Sequence, residues 1–264
     1  LEDIGERDVT SDYIFGDKEQ GEIVFIAKEE GIFCGEEIIK SGFTLLDQQV
    51  QCELFVADGV RFNKGDKLAA VRGSVSNLLK GERVVLNLVQ RMSGIATKTK
   101  EAVEILGSSY TKITDTRKTT PGLRMLEKYA VRCGGGVNHR FGLYDGVMIK
   151  DNHISFAGSI TNAIEKVRTG LGHMVKIEVE IESQEQLLEA IEANADVIMF
   201  DNRTPEEIKA WIELVPKGIM TEASGGITLE NLADYKNTGV NVISLGFLTH
   251  TIKSIDISVK VNIF

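Results

Sequence analysis

The spacing of hydrophobic positions changes twice along this chain. Over residues 1–90, runs such as GEIVFIAKEEGIFCGE and QCELFVADGVRFNKGDKLAAVRG place β-branched and aromatic residues between Gly and Asp-Gly turns. This predicts a small sheet-containing domain. From Asn77 to Leu106 the apolar residues Leu78, Leu79, Val84, Val85, Leu88, Val89 and Met92 recur at helical spacing. A helix is expected there, broken or bent near Ser93-Gly94, with a domain junction at residue 95. Beyond it, short apolar runs alternate with helical patterns: KITD (112–115), GVMIK (146–150), MVKIEVEI (174–181), VIMFD (197–201), IMTEAS (219–224) and VISL (242–245). Strands alternating with helices, without hairpin turns, are parallel strands of βα units. Helix starts support the register. Thr204-Pro205-Glu206-Glu207 combines a cap, a first-turn Pro and a capping-box Glu, and Ser183 with Gln186 offers a second box. No GxGxxG follows a first strand, so a closed or nearly closed α/β barrel is favoured over an open doubly wound sheet.

Composition narrows the partners. With 39 acidic against 30 basic residues the net charge is −9, which argues against nucleic acid, whose backbone needs a broad basic face. No apolar run reaches the ~18 residues of a membrane span. Cys34, Cys52 and Cys133 are odd in number and lack metal-type spacing. They are read as reduced thiols of a cytoplasmic protein rather than as a disulfide or zinc site. The chain opens at Leu1 without an initiator Met or an apolar signal core, so a preceding segment is expected.

Against this acidic background, TDTRKTTPGLRMLEKYAVRCGGGVNHRFGLYDGVMIKDNH (114–153) concentrates Arg117, Lys118, Arg124, Lys128, Arg132, His139, Arg140 and Lys150 among glycines. That local reversal of sign suits a small polyanion. Arg117 and Lys118 follow a strand end, and His139, Arg140 and Lys150 cluster around the next strand, so these five are site candidates. LRMLEKYAVRC (123–133) reads as a helix. On it Arg124 and Lys128 form an i,i+4 pair, and Lys128 is taken as a helix-surface charge.

In a barrel, functional residues gather at the carboxyl ends of the strands. Those ends carry Asp115, Lys150, Glu180, Asp201, the Ser224-Gly225-Gly226 turn and Gly246. Glu178 and Glu180 share strand parity, Glu178 falling in a deeper polar layer. Glu180 and Asp201 are candidate Mg²⁺ ligands; the alternative is that they only neutralise neighbouring Lys or Arg. The Ser224-Gly225-Gly226 turn, ahead of a helix expected near Leu229, and Gly246 are candidates for phosphate binding through backbone N–H groups.

The segments ERVVLNLVQRMSGIAT (82–97), DTRKTTPGLRMLEKYAVRCGGGVNHRFGLYDGVMIKDNHI (115–154), KIEVEIES (176–183), IMFDN (198–202), EASGGI (222–227) and ISLGFLTHT (243–251) closely resemble quinolinate phosphoribosyltransferase. The resemblance implies an N-terminal open-faced α/β sandwich (1–95, joined by 254–264) and an incomplete, TIM-like α/β barrel (96–253). It also implies a homodimer, with room for a higher oligomer, whose active sites lie at the interface. The implied reaction joins quinolinate to phosphoribosyl pyrophosphate, giving nicotinate mononucleotide, pyrophosphate and CO₂ for NAD biosynthesis. By motif match Arg91 would reach the partner's site. Arg117, Lys118, His139, Arg140 and Lys150 would surround quinolinate and the phosphoribosyl group, Lys118 and Lys150 being catalytic together with Glu180 and Asp201. Those two carboxylates would face the ribose and Mg²⁺, while Ser224, Gly225 and Gly246 would hold phosphate. Nicotinate phosphoribosyltransferase, the molybdenum-transport-associated homologue and a non-catalytic metabolite sensor stay open at this point.

Overall fold

The computed structural model describes residues 2–16 and 19–263. Leu1, where a preceding segment would join, and Phe264, at the end of the segment 254–264, lie outside the described residues. The chain divides into two compact units, residues 1–100, 132–135 and 252–264 in one and residues 101–131 and 136–251 in the other.

In the first unit an antiparallel sheet has the strand order Ile257–Ile263, Gln20–Ala27, Lys67–Ser74, Gln51–Leu54. The C-terminal strand is therefore an edge strand, with Ile257 opposite Ala27 and Val259 opposite Phe25. Its core gathers Ile23, Phe25, Phe43, Leu68, Val71 and Val89, drawn from the sheet, from the helix Glu36–Thr44 and from the long helix Val75–Leu106. The long helix corrects the expected break at Ser93-Gly94, because it runs on through 32 residues. A Cβ at Gly94 would lie 2.3 Å from the Lys253 carbonyl oxygen. Glycine stands there to let two backbones meet, and one glycine does not end a helix that packing supports.

The second unit holds six strands: β1 (Lys112–Thr114), β2 (Val147–Ile149), β3 (Ile177–Ile181), β4 (Val197–Asp201), β5 (Met220–Ser224) and β6 (Val242–Ser244). All pairs are parallel, in the order β1-β6-β5-β4-β3-β2. Each strand neighbours its successor except that β1 and β2 form the two edges, so the barrel is incomplete and open between them. On β3 and β4 the residues Ile177, Val179, Ile181, Ile198 and Phe200 share one face and have almost no exposure, and on the opposite face Glu178 and Met199 are buried as well.

Local chemistry fixes the connections. Thr204 Oγ1 accepts the Glu207 N–H (3.2 Å) and Glu207 Oε2 accepts the Thr204 N–H (2.8 Å), the capping box expected for Pro205–Ile212. Ser183 Oγ accepts the Gln186 N–H, but Gln186 Oε1 accepts from Glu182 instead of returning to Ser183. The helix expected near Leu229 is not formed; only a 3₁₀ turn, Leu232–Tyr235, follows. Ahead of it the Asn231 side chain accepts the Thr228 N–H (2.8 Å) and donates to the Gly226 carbonyl (3.0 Å), fixing the turn.

Candidate active site

The carboxyl ends of the six strands converge on one cavity of about 810 Å³. Arg117, Lys118, His139, Arg140, Lys150, Glu180, Asp201, Ser224, Gly225 and Gly246 all line it. Arg91 does not; it is half-buried on the long helix of the first unit. The register sets the levels: Glu180 of β3 and Glu222 of β5 both lie opposite Met199 of β4, and Ser224 lies opposite Asp201.

Lys128 is not a surface charge. Its side chain is fully buried, with Nζ 2.5 Å from Asp115 Oδ1 and 3.0 Å from the His139 carbonyl oxygen, and it also lies 5.1 Å from the centre of the Phe141 ring. Asp115 in turn accepts the His139 N–H (2.9 Å) and the Asn138 side-chain amide (2.6 Å). Burial pushes the Asp115 carboxyl up and the Lys128 ammonium down, while their mutual attraction works against both shifts. The pair thus anchors the stretch that carries His139 and Arg140 into the cavity.

His139 Nδ1 accepts the Arg140 N–H (2.8 Å). Its Nε2 is 3.1 Å from Glu178 and 3.5 Å from Glu222. Burial opposes a charged ring, but the Glu178 hydrogen bond and the two carboxylate charges prevail and raise the His139 pKa. Glu222 is 3 % exposed, and burial, followed by the Glu178 charge, pushes its carboxyl up to about 8. One oxygen each of Glu178 and Glu222 is buried without a hydrogen-bond partner. Glu178, below the level of Glu180 on β3, therefore occupies the deeper polar layer, and Glu222, level with Glu180 and lining the cavity, approaches the same ring nitrogen of His139.

On the rim, the Arg140 guanidinium donates to the Gly146 carbonyl (2.8 Å). Burial, then the like charge of Arg117, lowers its pKa. An anion between these two cations would relieve their repulsion. Lys150 Nζ is bonded to Glu180 Oε2, so the neutralising role considered for Glu180 is real. Among the described residues no cation is bonded to the Asp201 carboxylate; burial raises its pKa, Lys150 opposing and Glu182 adding to the shift. Two carboxylates at the ends of adjacent strands, one with its charge held at a cost, are a hard-oxygen donor set that fits a divalent cation such as Mg²⁺.

The glycine turn has a geometric cause. Gly225 has φ +81°, and a Cβ there would sit 2.3 Å from Asn202 Oδ1 and 2.9 Å from the Asn202 nitrogen. Asn202 itself adopts φ 52° and gives its N–H to the Ser224 carbonyl (2.8 Å). Asn202, Glu222, Thr228 and His250 also line the cavity and were not singled out from the sequence. Glu222 carried a signal, since it shares strand parity with Ser224. The other three lie in turns and a short helix, where no periodicity marks a side chain's direction.

Comparison with known proteins bears on this geometry. The family description "Quinolinate phosphoribosyl transferase, C-terminal domain" matches residues 95–260, and the corresponding N-terminal domain matches residues 8–93. A probable nicotinate-nucleotide pyrophosphorylase (carboxylating) of Bacillus subtilis is 62% identical over 263 residues, covering 100% of this chain and 91% of its own. The nicotinate-nucleotide pyrophosphorylase (carboxylating) of Rattus norvegicus is 42% identical over 242 residues, covering 90% of this chain and 80% of its own. The crystal structure of NadC from Streptococcus pyogenes superposes with a TM-score of 0.96 at 41% identity, covering 100% of this chain and 93% of that one.

Proposed function

Because this chain belongs to the quinolinate phosphoribosyltransferase family, whose members make nicotinate mononucleotide from quinolinate with loss of CO₂ in de novo NAD biosynthesis, we propose that the cavity at the strand ends is the site of that reaction. The observation that carries this reading is that one cavity is lined both by the cations Arg117, Lys118, Arg140 and Lys150 and by the carboxylates Glu180 and Asp201, together with the Ser224–Gly226 turn and Gly246.

Quinolinate brings two adjacent carboxylates, and phosphoribosyl pyrophosphate brings a 5-phosphate and a pyrophosphate. Arg117 and Arg140 suit the planar carboxylates through paired hydrogen bonds, and Lys118 and Lys150 act as point charges. His139, fixed through the Arg140 N–H and Glu178, borders the acceptor. The backbone at Ser224, Gly225 and Gly246 is open to the phosphate. The pyridine nitrogen bonds to the anomeric carbon as the bond to pyrophosphate breaks, and Glu180 and Asp201 stabilise positive charge on the ribosyl ring. The electron pair left on the adjacent ring carbon when its bond to the carboxylate breaks and CO₂ departs is stabilised by the neighbouring cationic nitrogen, and that carbon then takes a proton. Mg²⁺, held by Glu180 and Asp201, would offset the charge of the departing pyrophosphate.

We further infer a homodimer, with Arg91 entering the partner's site. Supporting it, Met125, Leu143, Tyr144 and Phe156 are large apolar side chains left in solvent, Phe156 being 92 % exposed. Among the described residues Cys34, Cys52 and Cys133 are in no disulfide, which supports a cytoplasmic setting. Among the described residues no helix is long and apolar enough to cross a membrane.

Calorimetric titration of phosphoribosyl pyrophosphate with and without Mg²⁺ tests the site. Wild-type protein should bind the donor more tightly with the cation, and Glu180→Gln with Asp201→Asn should remove that gain. An undiminished gain in the double variant would place the cation elsewhere.

A further inference from the structure

The cysteines, unpromising by their spacing, come together in three dimensions. In the first compact unit Cys34, Asp58 and Cys133 bring one ligand atom each to within 4.8 Å of one another. None of the three lines the catalytic cavity. Cys34 is fully buried, whereas Asp58 and Cys133 are half-exposed, so the cluster has an open side.

The cluster is held by its surroundings. The Cys34 N–H donates to Ser93 Oγ (3.1 Å), and the Ser93 hydroxyl lies 3.3 Å from the Cys34 carbonyl. Asp58 Oδ1 accepts the N–H groups of Gly35 (2.7 Å) and Glu36 (3.1 Å), while Glu36 Oε1 accepts the Asp58 N–H (2.7 Å). Each of the three residues is followed by a glycine whose missing side chain permits the approach. A Cβ at Gly35 would lie 2.8 Å from Val89, at Gly59 3.1 Å from the Cys133 carbonyl oxygen, and at Gly134 2.4 Å from the Ala96 carbonyl oxygen. Three chain segments are thus packed closely, with a side chain excluded at Gly134 by backbone and crowded at Gly35 and Gly59.

Cys34, Asp58 and Cys133 would each offer an anionic ligand atom once deprotonated, and a divalent cation between them would replace the thiol protons with coordination. Zinc–thiolate bonds of about 2.3 Å and a zinc–carboxylate bond of about 2.1 Å in a tetrahedron put ligand atoms roughly 3.5–3.8 Å apart, inside the observed limit.

We propose that Cys34, Asp58 and Cys133 form a binding site for a thiophilic divalent cation of the zinc type, tying the end of the helix Arg124–Cys133 to the turn before the helix Glu36–Thr44. Binding converts two thiols to metal-bound thiolates and releases their two protons to solvent, leaving the fourth coordination position to water.

The test is to strip and reduce the protein, then titrate it with Co²⁺ in excess Mg²⁺ while following thiolate-to-cobalt charge-transfer absorption and proton release. One equivalent should bind with that absorption and raise the melting temperature. Cys133→Ser should lose the band, and Asp58→Asn should weaken the affinity while keeping thiolate absorption. Melting of both metal-free variants beside metal-free wild type checks that they fold, and if Cys133→Ser does not, Cys133→Ala takes its place. No charge-transfer band, or a band that persists in the Cys133 variant and vanishes in Cys52→Ser, would overturn the proposal.

Discussion

Lys128 and Asp115 form an ion pair with no solvent exposure on either side chain, and the remaining hydrogen bonds of Asp115 hold Asn138 and His139 in place. Replacing Lys128 by Met leaves a buried carboxylate without its counter-charge. That should cost about 3–5 kcal/mol, measured by urea unfolding. Quinolinate affinity should fall as well, since the displaced stretch carries His139 and Arg140. A loss under about 1 kcal/mol would mean that the carboxyl is neutral in the folded protein.

The misreading of Lys128 shows what the sequence withholds. Its i,i+4 relation to Arg124 is local and looks like a solvated helix face, whereas its partner lies at the end of a different strand. The strand ends themselves were legible where an apolar run stops at a charged residue, VMI at Lys150 and VIMF at Asp201. Gly94 misled for the opposite reason: a glycine required by the nearby Lys253 carbonyl reads locally as a helix breaker. The meeting of Cys34 with Cys133 had no local signal, since spacing motifs detect only ligands that are neighbours in sequence.

Glu222 makes stability depend on pH. Its folded pKa is raised from 4.5 to about 8. Above 4.5 the unfolded chain releases this proton while the folded protein keeps it. The contribution is therefore full below 4.5 and is lost as pH rises toward 8. His139, also raised, has the same sign. Unfolding free energies measured across this window should fall less steeply in Glu222→Gln than in wild type. Equal slopes would show that Glu222 is ionised throughout.

At Gly225 the backbone angle and the contact with Asn202 act together. Gly225→Ala should destabilise by about 1–3 kcal/mol and raise the KM for phosphoribosyl pyrophosphate more than that for quinolinate. Gly65→Ala, at φ +94° with nothing within 4 Å of the added Cβ, is the control for the backbone angle alone. Similar stability losses in the two variants, with both KM values unmoved, would remove the Asn202 contact from the account.

Arg117 and Arg140 are assigned to the dicarboxylate. Truncating either to Ala should cost on the order of 2 kcal/mol, roughly thirtyfold in quinolinate affinity, read by equilibrium binding. Unchanged binding in both variants would sink the assignment.

The most direct measurement is product analysis with the purified protein, phosphoribosyl pyrophosphate and Mg²⁺, offered quinolinate in one reaction and nicotinate in another. Nicotinate mononucleotide, pyrophosphate and CO₂ should form in equal amounts from quinolinate, and no nucleotide should form from nicotinate. Nucleotide formed from nicotinate without CO₂, or no product from quinolinate, would contradict a cavity built for two adjacent carboxylates.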